Sequence, residues 1–229
     1  MSGRFIVFEG GEGAGKTTQI RALYTWLQND LSVQQLLEKK LIADILMTRE
    51  PGGSEFGKAI RHLLLDYVPP SDSAAIAPST ELLLYAADRA QHVEEYLQHH
   101  LDRGALILCD RYTDSTVAYQ GYGRNLDLSL IHTLNQIATN GLQPDLTLWL
   151  DIDVEAGLSR TRERGQADRM EKNDLAFHER VRQGFQALAN EHSHRIVRID
   201  AHQDMAAVSR NICAVVQHKI AEWYGQTIE

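Results

Sequence analysis

The sequence predicts an α/β fold, a five-stranded parallel sheet with helices on both faces. Three observations carry that reading. Apolar runs of four or five residues recur at 5–8, 44–48, 105–109, 146–150 and 196–200, and they are near-continuous rather than alternating, as in strands buried on both faces. Between them lie stretches with apolar residues at helical spacing, so strand and helix alternate along the chain. The first strand meets the first helix through a glycine-rich loop, the joint at which open parallel sheets bind ligands.

That loop is Gly10-Gly11-Glu12-Gly13-Ala14-Gly15-Lys16-Thr17, which fits G-x-x-x-x-G-K-[ST]. Residues 5–8 form the strand before it. Ile20, Leu23, Tyr24 and Leu27 mark the helix after it, over 16–28. In this context the motif is a phosphate-binding loop. Its backbone N–H groups turn inward on an anion, and the helix N-terminus adds partial positive charge. Lys16 can reach β- and γ-phosphates, and the Thr17 hydroxyl can serve Mg²⁺. Glu12 stands out, because a carboxylate in a phosphate cradle repels its ligand unless it faces something else. The hydroxyl of a second substrate fits that need; a solvent-facing carboxylate is the alternative. The loop carries no arginine, so charge for a transferring phosphoryl group has to come from elsewhere.

The remaining elements follow in order. Residues 29–43 are mixed, with a short helix around Leu36 and Leu37 weakly signalled. The strand at 44–48 runs into Arg49-Glu50-Pro51-Gly52-Gly53, where proline and glycines force a turn. Ser54 caps a helix through Leu65. Residues 66–79, with Pro69, Pro70 and Pro78, read as a surface loop. A long amphipathic helix is expected over 80–100, with Leu82, Tyr85, Arg89 and His92 on one face. The strand at 105–109 ends in Asp110-Arg111-Tyr112. A polar stretch, 113–122, and a loop, 123–127, follow. Helices are expected at 128–140, 154–164, 175–191 and 205–224. We read one domain over 1–229.

Asp110 ends a buried strand, where a carboxylate can hold Mg²⁺ directly or through water. Arg111 can grip a phosphate bidentately. Arg160, Arg162, Arg164 and Arg169 crowd into SRTRERGQADR. A solvated charged helix is the ordinary reading of such a run. Here it competes with the arginine-free loop, which favours a lid over about 159–171 that delivers arginines on closure.

Bulk composition limits the function classes. The 229 residues, 43% hydrophobic, can bury one sizeable core. With 31 acidic against 23 basic residues the net charge is −8, which argues against a nucleic-acid grip. Cys109 and Cys213 lack metal spacing and read as thiols. No apolar run approaches a membrane span and no signal peptide fits, so a cytoplasmic enzyme without membrane contact is expected.

The chain resembles the thymidylate kinases, of the nucleoside-monophosphate kinase group of P-loop proteins. The resemblance rests on FEGGEGAGKTT (8–18), TREPGG (48–53), LLYAADRAQ (83–91), DRYTDSTVAYQGYGR (110–124), PDLTLWLD (144–151) and SRTRERGQADRME (159–171). It looks like the bacterial form, in which the lid rather than the loop supplies arginine. It implies transfer of a phosphoryl group from ATP to dTMP, with Mg²⁺, in an enzyme that is typically homodimeric. Gly10, Gly11, Glu12, Gly13, Ala14, Gly15, Lys16, Thr17 and Thr18 would hold ATP, and Thr17 and Asp110 the metal. Glu12 would bind the 3′-hydroxyl of dTMP, and Arg111, helped by Arg49, its phosphate. Tyr85 would stack on thymine, where the family often has Phe. Arg89 would reach a thymine carbonyl, Thr116 the ring nitrogen, Tyr119 the deoxyribose and Gln120 the base. Arg164 would be catalytic, with Lys16, Arg111, Arg160 and Arg162 in support. From the residues alone a P-loop switch protein or a ligase remains open, although no N-K-x-D guanine-reading motif occurs.

Overall fold

A computed structural model describes residues 3–67, 75–165, 169–171 and 173–225, without the side chain of Arg164. The strands are β1 (Arg4–Glu9), β2 (Ile45–Arg49), β3 (Leu106–Asp110), β4 (Leu146–Asp151) and β5 (Ile196–Asp200). All pair in parallel, in the order β2-β3-β1-β4-β5. Register sets Val7 opposite Cys109 and Thr147, and Leu148 opposite Val197. The glycine-rich loop therefore leaves the central strand, flanked by the ends of β3 and β4.

Side-chain alternation divides β1 between two cores. Ile6 and Phe8 pack with α1 (Lys16–Asn29), α2 (Leu31–Glu38) and α10 (Met205–Tyr224). Phe5 and Val7 face the other way, onto Val93, Leu97 and Leu101. The latter lie on one continuous helical run. It begins as α4 (Pro78–His92), widens into π-helical turns at Val93–Leu97 and ends as α5 (Gln98–Asp102). Expected from residue 80, it starts at Pro78 because proline suits the first helical position.

The weakly signalled segment 29–43 contains α2. Asp30 caps it, accepting from the Ser32 and Val33 amides at 3.0 and 3.2 Å. Val33, Leu36 and Ile42 are buried in the main core, so this connection contributes packing. Ser54 caps α3 (Glu55–Leu65) as expected, accepting from the Gly57 amide at 2.9 Å. The polar stretch 113–122 is not extended. It folds as α6 (Thr113–Thr116) and π-helical turns over Val117–Gly123. Its side chains look inward at other charges, which hides the apolar period that would betray a helix. The chain continues through α7 (Leu128–Thr139), α8 (Val154–Arg164) and α9 (Leu175–Glu191). The loop expected at 66–79 lies partly outside the described residues, at 68–74, and the lid expected over about 159–171 does so at 166–168. No described helix is long and apolar enough to cross a membrane.

Candidate active site

All five strands point their carboxyl ends to one side, bringing Glu9, Arg49, Asp110, Asp151 and Asp200 to one edge of the sheet. A cleft of about 230 Å³ opens there. One wall is the glycine-rich loop. The opposite wall is Tyr85 and Arg89 of α4, with Thr116, Tyr119 and Gln120 of the 113–123 helical segment.

The loop curls as its glycines allow. Gly13 has φ +68°, and a Cβ there would stand 2.0 Å from the Gly157 carbonyl oxygen. A side chain in that place would have to push α8 away, so this loop leaves no room for an arginine at position 13. Gly157 answers from α8: its own Cβ would lie 2.4 Å from the Glu12 carbonyl oxygen. Helix α8 thus starts in backbone contact with the loop.

Lys16 folds back, donating to the carbonyls of Gly10 and Gly11 at 3.0 and 2.8 Å. Burial and the neighbouring Arg111 guanidinium pull its ammonium down to about 8. Thr17 and Thr18 are exposed in the cleft. The Thr17 hydroxyl lies 3.0 Å from an Asp110 carboxylate oxygen. This hydroxyl and carboxylate, side by side at the mouth of a phosphate cradle, are the hard oxygen donors that suit a small divalent cation shared with phosphates. No described cluster of three or more acidic, His or Cys side chains is available to hold a metal by itself.

Arg111 sits at φ +73°, in the left-handed region that few bulky residues occupy. Its side chain turns back over the loop. One terminal nitrogen donates to the Gly10 carbonyl and Ser115 Oγ, both at 3.1 Å. The other donates to Glu12 at 3.0 Å and the Tyr119 hydroxyl at 3.1 Å. The Tyr119 hydroxyl in turn donates to Glu12 at 2.7 Å, and the guanidinium lies 4.9 Å above the Tyr119 ring. Burial alone would raise the Glu12 carboxyl. Arg111, Lys16 and the Tyr119 hydroxyl outweigh it and hold the group near 2, so Glu12 is ionised.

Arg89 is 2% exposed. It donates to Glu50 at 2.8 Å, Thr116 Oγ at 2.9 Å, Asn135 Oδ1 at 2.7 Å and the Tyr112 carbonyl at 3.0 Å. Four of its five N–H groups are thereby engaged, and among the described residues one on Nη2 remains. Tyr85 lines the cleft one turn earlier. Burial and the Glu81 charge push its phenol up. Arg49 is exposed at the cleft rim and makes no ion pair among the described residues.

The expected lid arginines do not all meet the cleft. Arg160 is exposed and its Nη1 donates to the Ala201 carbonyl at 3.2 Å, beyond the end of β5. Arg162 is exposed on α8, and neither lines the cleft. The Arg164 side chain lies outside the described residues. Arg169, by contrast, reaches inward, donating to the Leu64 carbonyl at 2.7 Å and pairing with Glu81.

Several residues of this edge carry no signal of their role in the chain. Glu9 is fully buried and accepts from the amides of Tyr112 and Ser115 at 2.9 and 3.0 Å, and from Ser115 Oγ. It clamps the turn that presents Arg111. Glu50 joins Arg89 to His92, whose Nδ1 lies 2.9 Å away. Asp88 holds the Gly52 amide at 2.8 Å, within the turn containing the cis Glu50–Pro51 peptide. Glu9, Glu50 and Asp88 could have been flagged only as carboxylates inside otherwise recognisable motifs.

With this geometry in place, the comparisons with known proteins agree. The family model "Thymidylate kinase" matches residues 8–212. A thymidylate kinase of Acaryochloris marina is 55% identical, covering 98% of this chain and 100% of the relative. One of Trichodesmium erythraeum is 53% identical, covering 97% and 99%. The crystal structure of thymidylate kinase from Ehrlichia chaffeensis superposes with a TM-score of 0.72 at 31% identity, covering 95% of this chain and 99% of that one. A phosphate loop on the central strand, an aromatic and arginine-lined wall facing it, and near-full-length similarity of this order lead to one conclusion: the chain belongs to the thymidylate kinase family.

Proposed function

We propose that the protein transfers the γ-phosphoryl group of ATP to dTMP, giving dTDP and ADP. The observation that carries this reading is a cleft with a phosphate loop on one wall and Tyr85, Arg89, Thr116 and Gln120 on the other. An oxygen of the dTMP phosphate attacks the γ-phosphorus, and the bond to the β-phosphate oxygen breaks. The monoester is largely dianionic at neutral pH, its second pKa being about 6, so no general base is required. The residues position two anions and offset their charge.

Residues 10–18 receive the ATP phosphates, with Lys16 leaving the Gly10 and Gly11 carbonyls for the β- and γ-phosphates. Arg111 takes the acceptor phosphate, with Arg49 beside it. Both terminal nitrogens of Arg111 are engaged, so the phosphate exchanges for Glu12 and Tyr119. Glu12, released, accepts from the 3′-hydroxyl of the sugar that Tyr119 flanks. The one remaining Arg89 N–H suits a thymine carbonyl, beside Thr116 and Gln120 and under the Tyr85 ring. Thr17 and Asp110 would hold a divalent ion, Mg²⁺ in this reading, which would supply charge to offset that of the phosphates. Arg164 supplies transition-state charge from the lid. With Arg160 turned to Ala201, the support assigned to Arg160 and Arg162 requires the lid to move.

The same reading makes the enzyme a cytoplasmic homodimer. Helix α4 packs between α3 and α7, and each exposes a large apolar side chain: Leu83 at 56%, Phe56 at 59% and Ile137 at 71%. Light scattering after size exclusion tests this, and a monomer at micromolar concentration removes it. The activity is tested by ADP release with MgATP against dTMP, dUMP, UMP, CMP, dGMP and AMP. Turnover led by dTMP is expected. Turnover led by another monophosphate retires the roles of Tyr85, Arg89 and Thr116, and absence of acceptor-dependent turnover retires the kinase reading.

A further inference from the structure

Glu81, in the first turn of α4, is 1% exposed and takes no part in the chemistry above. Three segments converge on its carboxylate. Gln120, from the base-facing wall, donates its Nε2 at 2.9 Å. Arg124 donates its Nε at 3.3 Å to the same oxygen and its Nη2 at 3.4 Å to the other. Arg169, on the chain returning from the lid, pairs with that second oxygen. Burial alone would raise this carboxyl, but Gln120, Arg124 and Arg169 together lower it, so it is ionised and only accepts. Gln120 must then turn its amide nitrogen toward Glu81, an orientation dictated by chemistry.

The return segment is held at a second point. Arg169 Nε donates to the Leu64 carbonyl at 2.7 Å. Arg124 donates to Asn173 Oδ1 at 2.8 Å, and Asn173 donates to the Met170 carbonyl at 2.7 Å. Met170 and Glu171, between these anchors, line the cleft. Arg164 is five residues before Arg169, a chain that spans at most about 18 Å when extended. Anchoring Arg169 therefore bounds where Arg164 can go.

We propose that Glu81 is a positioning residue that ties the return segment of the lid to the acceptor-base wall, so that one buried carboxylate sets both Gln120 and the reach of the lid arginine. This rests on the kinase reading above and adds a residue that the reaction does not touch.

The test compares Glu81→Gln, Arg169→Gln and the double variant. Glutamine at 81 still offers an oxygen to Gln120, but it turns an amide nitrogen toward Arg169. The expected result is a kcat lowered about tenfold or more, the scale of a lost charge-assisted hydrogen bond, with KM for dTMP within about threefold. Arg169→Gln should do the same, and the double variant should be no worse than either single one. Glu81→Asp should recover part of kcat. Without any nucleotide, trypsin should cut after Arg160, Arg162 and Arg164 about tenfold faster in Glu81→Gln than in wild type, because the segment opens more often. Should Glu81→Gln fail to fold, Arg169→Gln examines the same link from its more exposed end. Multiplying kcat effects, unchanged kcat in both single variants or unchanged cutting rates would overturn the proposal. Wild-type turnover of dTMP reports separately on the kinase reading, and the tryptic rates do not depend on it.

Discussion

Replacing Glu9 by glutamine should stabilise the protein at alkaline pH and not at acid pH. Glu9 is fully buried. Burial and the Asp114 charge outweigh Arg111 and the three donors around it, lifting the carboxyl from 4.5 to about 7. At 1.36 kcal/mol per pH unit, that rise is worth about 3 kcal/mol. The folded carboxyl holds its proton more tightly than the unfolded one. The associated stability is complete below about 4.5 and is lost as pH climbs through about 7. Glutamine has no proton to lose and fits the same contacts. Its oxygen accepts from the Tyr112 and Ser115 amides, and its nitrogen donates to Ser115 Oγ, which can turn from donor to acceptor. Urea unfolding followed by circular dichroism, with linear extrapolation at each pH, gives the stability difference between variant and wild type. Other titrating groups cancel in that difference. It should grow in favour of the glutamine by about 2–3 kcal/mol between pH 5 and pH 8. A difference constant to within about 0.5 kcal/mol would refute the reasoning and mean that the three donors keep Glu9 ionised throughout.

Three further outcomes are expected. Arg164→Ala should lower kcat by about 10³-fold or more, the scale of an arginine finger in GTPases, with dTMP affinity little changed; steady-state kinetics at saturating ATP reads both. Arg89→Met should destabilise by about 3–5 kcal/mol, because it leaves Glu50 buried and short of its partner; chemical denaturation at pH 7 measures it, and a loss under about 1 kcal/mol contradicts the network. Preference for dTMP over dUMP in kcat/KM should be about 10–200-fold, the worth of one methyl in an apolar pocket; a larger ratio requires a rearrangement beyond methyl contact.

Much of the architecture was legible because local pattern carried it. The five strands announce themselves as apolar runs, α3 by its capping Ser54, and α8, α9 and α10 by helical spacing. Asp153, Asp174 and Asp204 each accept from backbone amides of the helix they precede. The segment 113–122 was not legible. Its Asp114 pairs bidentately with Arg195 at 2.7 and 2.8 Å, and its Thr116 and Tyr119 face Arg89 and Glu12. A helix whose polar side chains are its buried ones does not present the usual stripe.

The sequence by itself determined the phosphate loop, the parallel sheet and the strand ends where charge collects, since each depends on neighbours a few residues away. It also named Thr17 and Asp110 as candidates to hold a metal, and the fold sets the Thr17 hydroxyl 3.0 Å from an Asp110 carboxylate oxygen. Tertiary structure decided which charges meet. Arg160 follows its helix face toward Ala201, while Arg169 turns inward to Glu81. Glu9 reaches across to Ser115, and Gly13 meets Gly157 backbone to backbone. These partners lie 41 to 144 residues apart in the chain, and only the folded arrangement of strands and helices brings them together. Local periodicity reports the face a side chain lies on; it does not say which other face the fold will set against it.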